Sequence, residues 1–504
     1  MPPLDPARLT ALVAFDPAAP LGFVSGFFLV FLFVLLLLQP LAARRRSARV
    51  LLLLVFSLYF YYKTSGLFLG LLILSTAVDF GLGLAIGGAK SQAWRRVFFW
   101  TGVAANLAVL IGFKYTRSWI PLLQGWGWLG PGLRNLALPV GISFYTFQKI
   151  GYLADVRAGR FPAVRRFGEF LLFVSFFPRV AAGPILRAKE FFGQLDPPGP
   201  DRAGRAETGR GIALILSGLF KKAVIADFIG VNFVDRVFAA PGLYSGLENL
   251  IAVYGYAVQI YCDFSGYTDM ALGIGRLLGI RLPPNFQSPY KALTVSDFWN
   301  RWHMTLSFWL RDYLFWPLAF RLSDRIKKDR IAGLRTDRLI PAAATIFVFF
   351  VCGLWHGAAW GFVIWGLAHG LAVAAERTLR LPQKVRRTRG RRILARVLTF
   401  HYLCLAWIFF RADTPGRALA VLGQILARFK VKLLPQFFAG YPIVSALIVL
   451  GLLLHFLPEK AKERVRGLAA ALPLPAQSLA LAAAIWLVFQ FRTAAIQPFI
   501  YFKF

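Results

Sequence analysis

Charge and sulfur are what this chain has least of. Charged residues fill 16% of its 504 positions, well below the roughly 25% of soluble globular domains. With 58% hydrophobic residues and a mean hydropathy of +0.59, that scarcity excludes a soluble fold. Cysteine occurs at Cys262, Cys352 and Cys404 only, each beside apolar residues, so neither a disulfide framework nor a CxxC metal site is available. The five histidines show no ligand spacing, and no metal is expected. Acids are scarcer than bases, 23 Asp and Glu against 58 Lys and Arg. On a soluble chain that surplus would point to nucleic acid. Here the arginines cluster in short loops between apolar runs, as cytoplasmic membrane loops do, and no nucleic-acid partner is expected. No GxSxG elbow is present, nor an inverted repeat of the kind that marks many transporters.

What is present is apolar length. Runs of about 17 to 25 residues read as membrane spans, and they give an all-α, polytopic integral membrane protein with roughly 11–12 transmembrane or re-entrant helices. Spans are expected at 21–41, at 50–86 as two helices joined by a tight external turn at Lys63, Thr64 and Ser65, and at 97–113 and 136–156. Further spans fall at 211–231, 247–264, 340–351, 358–375, 393–410, 441–456 and 479–491. The segment 170–192 carries Pro178, Arg179, Gly183 and Pro184, which suits a broken or re-entrant element better than a straight helix. The glycines at 81, 83, 87 and 88, and at 273, 275 and 279, follow no strand, so they read as close helix packing and not as a nucleotide fingerprint.

Basic clusters set the orientation. Arg44 to Arg49, Lys90 to Arg96, Arg157 to Arg166 and Arg377 to Arg396 are expected in the cytoplasm, with the N-terminus outside. Asp5, Arg8 and Asp16 stand where a cleavable signal would be basic. The stretch 377–396 has nine Lys or Arg and no acid. It reads as a topology anchor, or as a contact for anionic lipid or a negatively charged carrier. The whole chain reads as a single membrane domain: scaffold spans over 1–134, a catalytic core over 135–376 and C-terminal spans over 377–504.

Two stretches carry chemistry. Within 340–371, an otherwise ordinary apolar run, His356 stands beside Trp355 and between Gly353 and Gly357. An ionisable ring at membrane depth is a functional candidate by default, and the glycines permit a break and close approach. The second stretch, Ser296 to Pro317, reads as one helix capped by Ser296, with Asp297, Asn300, Arg301, Trp302, His303, Ser307, Arg311 and Asp312 among bulky aromatics. It should lie at the interface or tilt into the bundle, with His303 and Ser307 one turn apart. His369, His401 and His455 read as packed or interfacial. Cys352, four positions before His356, leaves a covalent cysteine relay conceivable beside ordinary packing.

These stretches belong to five ordered blocks: LPVGISFYTFQKIGYLADV from Leu138, FFPRVAAGPILRAKEF from Phe176, YCDFSGYTDMALGIGRLLGI from Tyr261, NFQSPYKALTVSDFWNRWHMTLSFWLRDYLF from Asn285 and CGLWHGAAWGFVIWGLAHG from Cys352. Together they resemble the membrane-bound O-acyltransferase family, in the bacterial branch of alginate O-acetyltransferase and teichoic acid D-alanyl transfer. The resemblance implies that His356 is catalytic and His303 a second active-site residue. Asn300, Trp302, Ser307, Arg311 and Trp355 would line a central tunnel in which both imidazoles face one cavity.

It also implies an enzyme without a bound cofactor. An acyl thioester, acetyl-CoA or an acyl carrier, would serve as donor, and an acyl group, acetyl first, would pass to hydroxyls of an exported polysaccharide or to a periplasmic acyltransferase or export partner. The setting would be the bacterial inner membrane and its lipid. D-alanyl transfer from a carrier protein to teichoic acid is the alternative within the class. A polysaccharide or lipid transporter is the alternative outside it, and that reading requires paired acids within the spans, for which Asp79, Asp155 and Asp263 are the candidates.

Overall fold

In the computed structural model, residues 13–17, 19–42, 44–116, 138–196, 204–331, 333–385 and 388–491 are described, together with 120, 125 and 499. Expectations that rest on Asp5, Arg8, residues 136 and 137, the loop 197–203, Arg386 and Arg387 fall outside them. Helices dominate, as they must where lipid offers the backbone no hydrogen bonds. Four are long and apolar enough to cross a membrane, Phe68–Gly88, Gln92–Lys114, Thr336–His356 and Arg389–Arg411; the number rises to six if the bent pairs Val431–Gly440 with Pro442–Phe456 (103°) and Glu459–Ala471 with Pro475–Ala484 (118°) each make one span. The chain is an all-α integral membrane protein. Among the described residues the only strands pair Arg330 with Arg335 and Ile331 with Leu334.

The chain divides into two compact units. The first comprises Met1–Ile215, Tyr267–Pro283 and Leu468–Gln477, the second Leu216–Gly266, Pro284–Gly467 and Ser478–Phe504.

The first unit holds helices α1 (Gly26–Ala42), α2 (Arg46–Ser65), α3 (Phe68–Gly88), α4 (Gln92–Lys114), α5 (Ile142–Arg157), α6 (Phe167–Ser175), α7 (Phe177–Val180) and α8 (Ala188–Phe192), and the start of α9 (Arg205–Leu219). The expected tight turn lies at Gly66, whose φ of 59° suits glycine. Lys63, Thr64 and Ser65 belong instead to the end of α2, all buried. The segment 170–192 is broken as expected, helical over α6, α7 and α8 and non-helical from 181 to 187. Between α3, α4 and α5 a buried ion pair joins Lys149 Nζ to Asp79 at 3.1 Å, and Asn106 Nδ2 donates to the same carboxylate at 2.7 and 2.9 Å. The first basic cluster is more than an anchor. Arg46 pairs with Glu169 and Asp196 at 2.9 Å each, and buried Arg49 donates to the carbonyls of Leu195 and Leu278.

Small-residue packing is real at Gly83, where a Cβ would lie 2.6 Å from the Tyr152 hydroxyl, and at Gly273, where it would lie 2.5 Å from the Gly211 carbonyl. At Gly81 and Gly88 nothing approaches within 4 Å, so half of the first glycine group does not serve that purpose.

The second unit holds the first part of the 32-residue α10 (Gly246–Leu277), much longer than the span expected there and belonging to the first unit from Tyr267 onward, with α11 (Val295–Trp299), α12 (Met304–Leu310), α13 (Trp316–Arg325), α14 (Thr336–His356), α15 (Trp360–Thr378), α16 (Leu381–Val385) and α17 (Arg389–Arg411). Its C-terminal part continues through α18 (Pro415–Ala427), α19 (Leu434–Gly440), α20 (Pro442–Phe456), the first part of α21 (Glu459–Ala471) and the last part of α22 (Leu474–Phe491), while Leu468–Gln477 between them belong to the first unit. Ahead of α10 the backbone is π-helical over Phe220–Ala226 and Gly230–Val234, and it is so again over Arg311–Phe315. Helices α14 and α15 form a hairpin whose backbones nearly touch. A Cβ on Gly353 would lie 2.5 Å from the Phe362 carbonyl, and one on Gly366 would lie 3.1 Å from the Gly353 Cα.

Candidate active site

His356 is the last residue of α14, and the N–H of Gly357 closes the helix on the Leu354 carbonyl at 3.1 Å. The hairpin needs the glycines, because the chain must stop, turn and return at backbone contact distance. The imidazole is buried among rings whose centroids lie 4.5 Å (Trp355), 4.9 Å (Phe410), 5.0 Å (Trp365) and 6.0 Å (Phe362) away. Such walls exclude water around a basic ring. Cys352 is buried one turn before it on the same helix.

His303 does not sit within a helix. The stretch 296–317 is broken: Thr294, not Ser296, caps α11 by accepting from the Asp297 N–H, α11 ends at Trp299, and α12 begins at Met304. Between them His303 adopts φ 43°, ψ 51°, a left-handed conformation uncommon for a residue with a Cβ. Asn285 enforces it. The Asn285 carbonyl accepts from Met304 N–H at 3.0 Å, and its amide oxygen lies 3.2 Å from His303 Nδ1 while accepting from Thr305 N–H at 3.1 Å and the Thr305 hydroxyl at 2.9 Å. An oxygen cannot donate, so Nδ1 carries the proton and Nε2 is the basic nitrogen. The Phe264 ring packs on the imidazole in a T-shaped contact, the centroids 4.7 Å apart. Asn285 is a candidate site residue that sequence reasoning missed. Its only signal was its place at the head of the fourth block.

The two histidines are linked by rings. From His356 the path runs through Phe410 to Trp407 at 5.3 Å, from Trp407 to Trp302 at 5.2 Å, and Trp302 precedes His303. Trp302 and Trp355 therefore serve as walls between and beside the imidazoles. A separate cavity of about 410 Å³ is lined by Asn300, Ser307 and Arg311 with Trp299, Phe349 and Arg377 among others. Neither imidazole, nor Trp302 or Trp355, is among its lining residues, so three of the expected lining residues share this cavity and the histidines do not. His369, fully buried, accepts the Trp299 indole N–H on Nδ1 at 3.2 Å and is a packed residue, as is buried His455, whose Nε2 accepts Tyr290 N–H. His401 bonds the Tyr254 hydroxyl at 3.0 Å.

The acids that a transporter would pair with one another are paired with bases: Asp79 with Lys149, Asp155 with Arg160 at 2.8 Å and Asp263 with Lys222 at 2.6 Å. Among the described residues no three His, Cys, Asp or Glu gather as a metal cluster would.

Comparison with known proteins gives this geometry a lineage. A peptidoglycan O-acetyltransferase of Helicobacter pylori is 35% identical over 390 residues, 73% of this chain and 71% of its own length. A probable alginate O-acetylase of Azotobacter vinelandii is 36% identical over 359 residues, 69% of this chain and 66% of its own. A teichoic acid D-alanyltransferase of Bacillus subtilis is 31% identical over 282 residues, 55% of this chain and 69% of its own. The family model for membrane-bound O-acyltransferases matches residues 160–413, a span that contains both imidazoles, and the chain belongs to that family.

Proposed function

We propose that this acyltransferase moves an acetyl group from a cytoplasmic thioester donor across the inner membrane to hydroxyls of an exported polysaccharide, directly or through a periplasmic partner. The observation that carries the reading is His356, a buried base at the closed tip of a glycine-packed hairpin. A thioester is already activated, so the protein has to orient an acceptor hydroxyl and take its proton. In the proposed step His356 accepts that proton as the hydroxyl oxygen attacks the thioester carbonyl; the carbon–sulfur bond breaks, and the departing thiolate takes up a proton. His303 holds a reacting group through its Nε2. The relatives favour acetyl, since the two acetylating proteins align over more of the chain than the D-alanyl one.

One observation favours D-alanyl. Four aromatic rings surround His356, and an aromatic enclosure also suits an ammonium group. Proteoliposomes given labelled acetyl-CoA or a D-alanyl carrier with a glycan acceptor decide between the two. His356→Ala, inserted and folded, should lower transfer by at least about a hundredfold, the contribution of one general base. Undiminished transfer would remove His356 from the reaction. For the orientation, an impermeant thiol reagent outside intact spheroplasts should leave Arg391→Cys unmodified; labelling there would reverse the proposed topology.

A further inference from the structure

Arg179 lies outside the chemistry above, in the broken element of the first unit. It sits on α7, a single turn with Pro178 as its second residue. Gly183 fixes that turn, since a Cβ there would collide with the Arg179 backbone. The side chain is fully buried. Its guanidinium carbon stands 4.6 Å from the Phe173 ring centroid on α6 and 5.0 Å from that of Phe191 on α8. All three of its nitrogens, Nε and both Nη, are buried with no hydrogen-bond partner among the described residues.

Aromatic rings support a cation, but they do not take up the five N–H donors of a guanidinium, which lie in its plane. The two ring centroids lie only 5.6 Å apart, so both rings stand on one side of the guanidinium, and its N–H fork, the group that recognises carboxylate and phosphate, is left uncommitted. The chain's own carboxylate nearby does not fill the role. Glu190 contributes its charge to Arg179, yet its oxygen accepts from the Arg187 backbone N–H at 3.2 Å, and the residue is exposed. The backbone from 181 to 187 is non-helical, and in a membrane protein such backbone is stable where it packs on protein or lines a polar space.

We propose that Arg179 anchors an oxyanion site that takes the phosphate of a phosphate ester. A phosphate offers more oxygens than a carboxylate to a fork whose donors are all uncommitted. A nucleotide-bearing thioester donor and a phospholipid headgroup share this chemistry. The inference does not depend on the acyl-transfer reading, because its test measures binding without turnover.

The test uses the full chain in a phosphate-free detergent such as dodecyl maltoside. Binding of coenzyme A is compared with that of pantetheine, and binding of dioctanoyl phosphatidic acid with that of dioctanoylglycerol, in wild type, Arg179→Gln and Glu190→Gln. At least one phosphate-bearing probe should bind wild type about tenfold more tightly than its phosphate-free counterpart and lose about tenfold in Arg179→Gln, as expected for a charge-assisted contact. Removing the competing charge in Glu190→Gln should tighten the same probe about threefold. Whichever probe responds names the source. Equal binding of the phosphate-bearing and phosphate-free probes overturns the site, as does an affinity unchanged in the variants. If Arg179→Gln does not fold, Glu190→Gln decides on the same criterion.

Discussion

The amide oxygen of Asn285 meets three donors, His303 Nδ1 at 3.2 Å and the backbone and hydroxyl of Thr305 at 3.1 and 2.9 Å. It thereby sets both the tautomer of His303 and the left-handed turn on which the ring sits. Asn285→Ala should lower kcat by about tenfold to a hundredfold, the usual cost of losing a residue that orients an active ring. Asn285→Asp, which keeps an acceptor, should recover part of the loss. Wild-type turnover in the alanine variant would remove Asn285 from any positioning role.

The α14–α15 hairpin makes a second claim. Backbone atoms face Gly353 and Gly366 and cannot move aside as a flexible side chain would. Gly353→Ala should cost about 1–3 kcal/mol or more by overpacking and lower Tm and transfer together. Gly423→Ala, with nothing within 4 Å, is the control. A Gly353→Ala protein with unchanged Tm would show that the hairpin is looser than described.

The Asp79–Lys149 pair has side-chain exposures of 1% and 2%. Losing one partner strands a buried charge, so Asp79→Asn or Lys149→Met alone should cost about 3–5 kcal/mol. The double variant Asp79→Leu with Lys149→Met should fold nearly as well as wild type, because two desolvated charges leave together. Equal damage in single and double variants would point to a role for the charges beyond stability.

Glu207, at the start of α9, contacts Arg276 at 2.5 Å, Arg210 at 3.1 Å and Arg281 at 3.4 Å. Burial alone would raise its pKa, but the arginines, Arg276 foremost, hold it below the ordinary carboxylate value. A depressed folded pKa stabilises above the unfolded value, about 4.3, and that stability fades as pH falls through the lower folded value. Unfolding followed from pH 7 down to pH 3 should show an acid limb that is smaller in Glu207→Gln. Identical acid limbs would exclude this contribution.

Apolar length made the helices legible, since a span-length run in lipid has few alternatives to a helix. It did not reveal the break at His303, because Asn300, Arg301, Trp302 and His303 include neither glycine nor proline. That turn is imposed by Asn285, 18 positions earlier, a tertiary contact without a local signature. Likewise the rings around His356 come from Trp365 and Phe410 on other helices, so local sequence could name the imidazole but not its enclosure. The span limits at 247 and 264 missed the full α10 because polar Ser265 and Asp269, beyond the apolar run, are buried in protein and not exposed to lipid.

Because the hairpin that ends in His356 is held by main-chain contact at Gly353 and Gly366, its geometry does not depend on the side chains pointing away from the contact. Phe347 and Leu371, 45% and 56% exposed, lie on these two helices and can change as bilayers of different thickness require. Fit to the lipid and the placement of the His356 imidazole are thereby carried by separate atoms of the same two helices.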